Sequence, residues 1–224
     1  MRAPISIIIP TLDAADGLAE TIPALIEGLE AGLVRELILS DGGSSDATHA
    51  VADAAGAVWL SLPATRAVRL RRGAEAAQGD WLLFLTAGAV LSEGWSREVA
   101  AVLAAPGAYH FQLRFRGRGL LPGAVAGLAN LRARLRLPLG EHGLLIDRAT
   151  YDAVGGYPEV PQLEDLAIAR ALGKRLVGLP IVAETCPRAF LQPGWLRRGG
   201  CATLNLVRFL SGADPKTLKA DRRD

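Results

Sequence analysis

Glu36-Leu37-Ile38-Leu39-Ser40-Asp41-Gly42-Gly43-Ser44-Ser45-Asp46 reads as a short buried strand, a turn on two glycines and the approach to a helix. A strand-to-helix turn of this kind sits at the carboxyl edge of a parallel sheet, where open α/β proteins place their ligand crevice. The acids select among ligands. A glycine-rich turn that cradles phosphate offers backbone N–H groups and usually a cation, and Asp41 and Asp46 would repel a phosphate laid against them. A carboxylate there suits the N–H edge of a base or a ribose hydroxyl. A purely structural reading stands beside this one: Ser44 caps the helix, Asp46 sits in its first turn and Asp41 shapes the bend.

Working outward, Ile5 to Ile9 reads as a buried first strand and residues 16–30 as a helix with Leu18, Ile22, Leu25, Ile26 and Leu29 on one face. Residues 45–55 form a second helix, 57–60 a third strand and 69–78 a third helix. The run Trp81 to Leu85 is continuous and apolar, as in a strand covered on both faces. Alternation of this kind predicts a mostly parallel sheet flanked by helices.

After about residue 105 the pattern changes. Tyr109, Phe111, Leu113 and Phe115 alternate with His110, Gln112, Arg114 and Arg116, which predicts a half-exposed strand with His110 outward. Helices are expected over 124–137, 165–172 and 195–210, and a strand over 176–183. The expected organisation is one α/β domain over 1–185, with a nucleotide-binding half (1–105) and an acceptor half (106–185). A helical extension over 186–224 packs on it.

Bulk properties bound the function. A net charge of +2 over 224 residues gives no field that favours nucleic acid. Cys186 and Cys201 form no CxxC pair, which suits reduced thiols and a cytoplasmic protein. Ile5 to Ile9 is too short for a signal peptide, and no stretch approaches the ~20 apolar residues of a spanning helix.

The sequence Ile7-Ile8-Ile9-Pro10-Thr11-Leu12-Asp13, followed by Asp41-Gly42-Gly43-Ser44-Ser45-Asp46-Ala47-Thr48, resembles the opening of a family 2 glycosyltransferase. Gly140-Glu141-His142, Gly155-Gly156-Tyr157-Pro158 and Leu163-Glu164-Asp165 resemble later elements of one small bacterial subgroup, the radical-SAM/selenodomain-associated transferase 2 proteins. The resemblance implies a GT-A fold that transfers a sugar, with inversion, from a nucleotide-diphosphate donor to a hydroxyl acceptor. It puts Pro10, Thr11, Asp13, Asp41, Gly42, Ser44 and Asp46 at the nucleotide, and Arg66 and Arg69 at the donor diphosphate. Glu141, His142 and Arg188 fall on the acceptor side. Asp165, beside Glu164, matches the general base. Lipid-linked acceptors are common in such enzymes.

One expected element is missing. The family usually carries an Asp-x-Asp after the central strand to hold a Mg or Mn ion that neutralises the leaving diphosphate. Here Thr86-Ala87-Gly88 stands in its place. Two accounts compete. Arg66, Arg69, Arg71 and Arg72 replace the metal, since guanidinium grips a diphosphate through paired N–H donors. Alternatively, the chain binds a nucleotide sugar or a partner and transfers nothing. Arg114, Arg116 and Arg118 on a strand, with Arg132 and Arg136 on a helix, are a basic rim that suits solvent or an anionic membrane face.

Overall fold

The computed structural model of the chain describes residues 3–117 and 120–186. The expected helix over 195–210, Arg188 and the extension from 187 onward lie outside the described residues.

One eight-stranded sheet in the order β3-β2-β1-β4-β7-β6-β8-β5 organises the chain. Its first part is parallel: β1 (Ile5–Thr11) lies between β2 (Val34–Asp41) and β4 (Trp81–Phe84), with β3 (Val58–Ser61) at the edge. The register sets Thr11 beside Asp41. The ends of β1 and β2 therefore open onto the same rim of the sheet. The second part is mixed. Strand β6 (Ala108–Phe115) runs antiparallel to β7 (Leu144–Asp147) and parallel to β8 (Leu176–Thr185), and β5 (Val90–Leu91) pairs antiparallel to β8.

The isoleucines of β1 show how the faces divide. Ile7 and Ile9 join Leu18 and Leu25 of α1 (Ala15–Glu30) and Trp95 of α4 (Trp95–Ala100) in one core. Ile8 turns to the other face, with Leu70 and Ala74 of α3 (Arg66–Ala76) and Ile168 and Leu172 of α7 (Glu164–Leu172). Each such buried side chain contributes about 1.5–3 kcal/mol of transfer energy. Helix α3 crosses β1 so closely that a Cβ at Gly73 would collide with Ile8. Helix α2 (Thr48–Ala54) follows the acidic turn, and α6 (Arg148–Ala153) follows β7.

Three expectations change. Helix α3 starts at Arg66, three residues before the predicted 69, with Thr65 as its N-cap shortly after Pro63. That places Arg66 within the helix. Helix α5 (Leu120–Arg134) starts four residues early, because Pro122 is tolerated in a first turn, where its missing N–H has no intrahelical partner to lose. His110 does not alternate outward. The register shifts between His110 and Gln112, and this irregularity leaves His110 only 7 % exposed.

Candidate active site

The acidic turn is stitched to the end of β1. Asp41 is 2 % exposed. Its Oδ2 accepts the N–H groups of Gly43 and Ser44, both at 2.8 Å, and its Oδ1 accepts the hydroxyls of Thr11, at 2.9 Å, and Ser44. Burial opposes the charge on Asp41, but these donors, Ser44 foremost, outweigh it and hold the carboxyl below its ordinary range. A carboxylate offers about four acceptor positions, and this loop fills them together with Thr11 of β1. A base must displace Ser44 or Thr11 to reach Asp41.

Asp13 and Asp46 close the other side of the same knot. Asp13 Oδ1 accepts from Ser45 N–H at 2.8 Å and Asp46 N–H at 3.3 Å, while the Asp13 N–H donates to Ser44 Oγ at 2.8 Å. Asp13 takes a positive φ of 46°, which a short polar side chain tolerates. Asp46 Oδ2 accepts from Ala15 N–H at 3.0 Å, and its Oδ1 accepts the Thr48 N–H and hydroxyl. The Thr48 hydroxyl is the main reason that the Asp46 carboxyl lies below its ordinary range. The alternative reading, in which Ser44 caps the helix, does not hold. Helix α2 begins at Thr48, so Ser44 lies too early, and Asp46 receives the first helical N–H instead.

The arginines of α3 do not form one phosphate-facing group, as the sequence reading expected. Arg66 and Arg69 are three residues apart and share the buried face, whereas Arg71 and Arg72 point away from it. Arg69 is 3 % exposed, and its Nη1 donates to Thr11 O at 2.6 Å beneath Gly42. It braces the loops that follow β1 and β2 from below. Arg71 pairs with Glu75 at 3.4 Å on the exposed face, and Arg72 pairs with the same acid at 2.9 Å. Arg66 reaches α7, where its Nη1 bonds both Glu164 Oε1 and Asp165 Oδ2, the latter at 2.9 Å.

This triad is the most concentrated chemistry among the described residues. Glu164 and Asp165 are 5 % and 7 % exposed. Burial works against the charge on Arg66, but Asp165 and then Glu164 outweigh it and push its pKa higher. Leu163, directly before the pair, sits at φ 62°. A bulky residue held in the left-handed region costs energy and marks a position fixed by its surroundings. The Tyr157 hydroxyl donates to Asp165 Oδ1 at 3.4 Å. Burial first and Asp165 second raise the Tyr157 pKa, so the phenol stays protonated. Sequence reasoning did not select Tyr157. The signal was there, since Gly155-Gly156-Tyr157-Pro158 bends the chain back at Gly156 (φ 68°) and turns the ring toward α7.

The turn at residues 140–142 closes over this triad. A Cβ at Gly140 would lie 2.7 Å from Asp165 Oδ2 and collide with the Arg66 guanidinium, so a side chain there would displace the ends of both. Thr86 Oγ1 donates to Gly140 O at 3.3 Å, tying the turn after β4 to the same spot. Glu141 is half-buried near Arg132. His142 does not face an acceptor as expected. It is 0 % exposed because the turn curls onto β6, with its ring 6.1 Å from His110. Burial, the largest effect, pushes its pKa down to about 4.

A divalent cation does not fit the turn after β4. Thr86 offers one hydroxyl, already bonded. The Gly88 N–H donates to Gly17 O and Thr21 Oγ1. Among the described residues no group of three or more His, Cys, Asp or Glu side chains is placed to hold a metal.

A sheet whose carboxyl edge gathers an acidic glycine turn, a buried carboxylate pair and an arginine defines a GT-A fold of the type that handles nucleotide-activated sugars. Residues 6–133 match the model for glycosyl transferase family 2, and the chain belongs to that family. Similar solved structures include glucosyl-3-phosphoglycerate synthase from Mycobacterium tuberculosis in complex with Mn2+, UDP and glucosyl-3-phosphoglycerate. It is 21 % identical, has a TM-score of 0.64, and the match covers 94 % of this chain and 81 % of that one. A mannosyltransferase from Pyrobaculum calidifontis in complex with GDP-Man and Mn2+ is 17 % identical with a TM-score of 0.66, covering 97 % and 68 %. TarS from S. aureus is 15 % identical with a TM-score of 0.63, covering 94 % and 66 %. These likenesses define the fold. No curated protein sequence matches significantly.

Proposed function

We propose that this chain is an inverting glycosyltransferase with Asp165 as general base. The observation that carries the reading is the buried Arg66–Glu164–Asp165 triad, one helical turn along α3 from the arginine that braces the Asp41 turn. The acceptor hydroxyl proton passes to Asp165 while the acceptor oxygen bonds the anomeric carbon from the face opposite the diphosphate. The bond to the diphosphate oxygen breaks, and the nucleoside diphosphate leaves. Arg66 compensates the buried acids before the acceptor arrives, and Tyr157 holds Oδ1 of the base in place. Pro10, Thr11, Asp13 and the 41–46 turn frame the nucleotide, and Glu141 borders the acceptor.

Metal-independent transfer fits the absence of a carboxylate at residues 86–88, with Arg66 the cation best placed to turn toward a diphosphate. A lipid-linked hydroxyl suits the acceptor side, where the exposed Leu128, Leu131 and Leu135 stand beside Arg134 and Arg136. Asp165→Asn is expected to abolish transfer while nucleotide affinity is nearly unchanged. Full activity in that variant removes Asp165 from the mechanism.

A second reading has its own support. Asp41 is saturated by its own loop and Arg66 is neutralised by two acids, as in a member that binds a nucleotide sugar or a partner without turnover. Thermal shift with a panel of nucleotide sugars, with and without manganese, followed by a donor hydrolysis assay, separates the two. Binding without turnover favours the second reading. A strict manganese requirement sinks metal independence.

A further inference from the structure

Residues 99–140 contain no aspartate or glutamate, yet they carry six of the arginines in a chain whose net charge is only +2. Within this stretch α5 lays its small residues inward. Ala126 and Ala129 pack on Leu113 and Phe115 of β6, and Asn130 bonds the Leu113 backbone in both directions. The outward side is apolar. Leu121, Leu128, Leu131 and Leu135 are 51 %, 62 %, 55 % and 70 % exposed. They recur at spacings of seven, three and four residues, which makes one continuous stripe.

The charges that α5 and the turn after it carry are all positive, the nearest acid to Arg132 being Glu141 beyond that turn. Arg134 and Arg136 are exposed at its carboxyl end, where Arg136 turns the chain at φ 64°. Arg132 is half-buried and bonds Leu137 O at 2.9 Å. The basic rim expected from sequence is smaller than it looked. Arg116 is paired with Glu20 at 2.8 Å and Glu184 at 3.2 Å, and Arg114 lies 3.8 Å from Glu184. Among the described residues, Arg134 and Arg136, which border the leucines, are the arginines of this stretch left for a partner.

We propose that the outer face of α5 docks on an anionic lipid surface, leucines entering the headgroup boundary and Arg134 and Arg136 meeting lipid phosphates. An exposed leucine stripe bordered by arginines and free of acids is the composition of a helix that lies in a membrane interface. Each arginine brought to such a surface strengthens binding about fivefold. No described helix is long and apolar enough to cross a membrane. The face also leads to the triad. Six residues run from Arg134 to Gly140, which abuts Arg66 and Asp165. At most about 21 Å of extended chain separates them. A hydroxyl presented at the membrane surface is thereby brought toward Asp165. That last step rests on the glycosyltransferase reading, whereas the docking does not.

The test is co-sedimentation of the full chain with vesicles of phosphatidylcholine alone or mixed with phosphatidylglycerol. Salt is set at about 0.1 M and about 1 M, between which the screening length falls from about 10 to about 3 Å. Binding is expected on the anionic vesicles, at least tenfold stronger in low salt. Leu128→Glu/Leu131→Glu is expected to lose binding at least tenfold while its Tm and oligomeric state stay those of the parent. Arg134→Glu/Arg136→Glu, which leaves the leucines alone, is expected to lose the salt-sensitive part. Failure of the parent chain to bind anionic vesicles overturns the proposal. So does a large fall in Tm of the leucine variant, which would mean that the chain itself covers the face. A change of oligomeric state overturns it in favour of a second copy. Docking with no sugar transfer in any assay would leave this proposal standing and defeat the enzymatic one.

Discussion

Arg66→Met tests the triad directly. Methionine keeps most of the apolar stem and removes the guanidinium, leaving Glu164 and Asp165 at 5 % and 7 % exposure without the cation that both contact. Breaking a buried ion pair by removing one partner costs about 3–5 kcal/mol, because the remaining charge is desolvated without compensation. Exposed arginines of the same helix set the contrast. Arg72, whose side chain is 62 % exposed, pairs with Glu75, and its replacement should cost about 0–1 kcal/mol. For a chain of this size 3–5 kcal/mol corresponds to a fall in Tm of about 6–20 °C. Urea and thermal unfolding followed by circular dichroism measure it. The decisive comparison repeats the substitution in a Glu164→Gln/Asp165→Asn background, where no buried anions remain and the loss should shrink to about 1 kcal/mol or less. A small loss in the parent, or the same loss in both backgrounds, would refute the argument that Arg66 exists to compensate these acids.

Other outcomes follow from single contacts. His142, 0 % exposed, has its pKa pushed down from 6.5 to about 4 by burial. A depressed folded pKa means that the unfolded chain takes up the proton first. The stabilisation is complete above pH about 6.5, falls as the pH drops toward about 4, and is gone below that. The gap corresponds to about 3 kcal/mol. Urea midpoints measured between pH 7 and pH 4 should flatten by that amount in His142→Asn relative to the parent. Asp41→Ala leaves the Gly43 and Ser44 N–H groups and the Thr11 hydroxyl without their acceptor. It should cost about 1–3 kcal/mol and weaken nucleotide binding, read by chemical unfolding and calorimetry. Gly140→Ala drives a methyl group against Arg66 and Asp165. It should reduce transfer more than it reduces donor affinity, as kcat and donor Kd would report.

The strand-turn-helix order of the first half was legible because each element carries a local signal. Ile5 to Ile9 and Leu37 to Leu39 are too apolar to lie anywhere but in the sheet, and Gly42-Gly43 can only be a turn. Much of the site was legible as well. Asp13, Asp41 and Asp46 do cluster, and Glu164 and Asp165 do begin a helix at the same rim. The errors share one cause. Arg66, Arg69 and Arg71 read as one basic segment because a sequence is linear, yet helical rotation sends two of them inward to different partners and the third to solvent. His110 and His142 read as available because the strand irregularity and the turn that bury them have no local marker.

The sequence by itself determined the parallel half of the sheet, the acidic glycine turn and the empty place at Thr86-Ala87-Gly88, since these depend on composition and spacing alone. Tertiary structure decided the partners. Only the approach of α3 to α7 puts Arg66 between Glu164 and Asp165, 98 and 99 residues away in the chain. Only the pairing of β1 with β2 brings the Thr11 hydroxyl to Asp41, whose remaining acceptor positions its own loop fills. A charge announces itself in the sequence, but what neutralises it depends on which distant element the fold brings beside it.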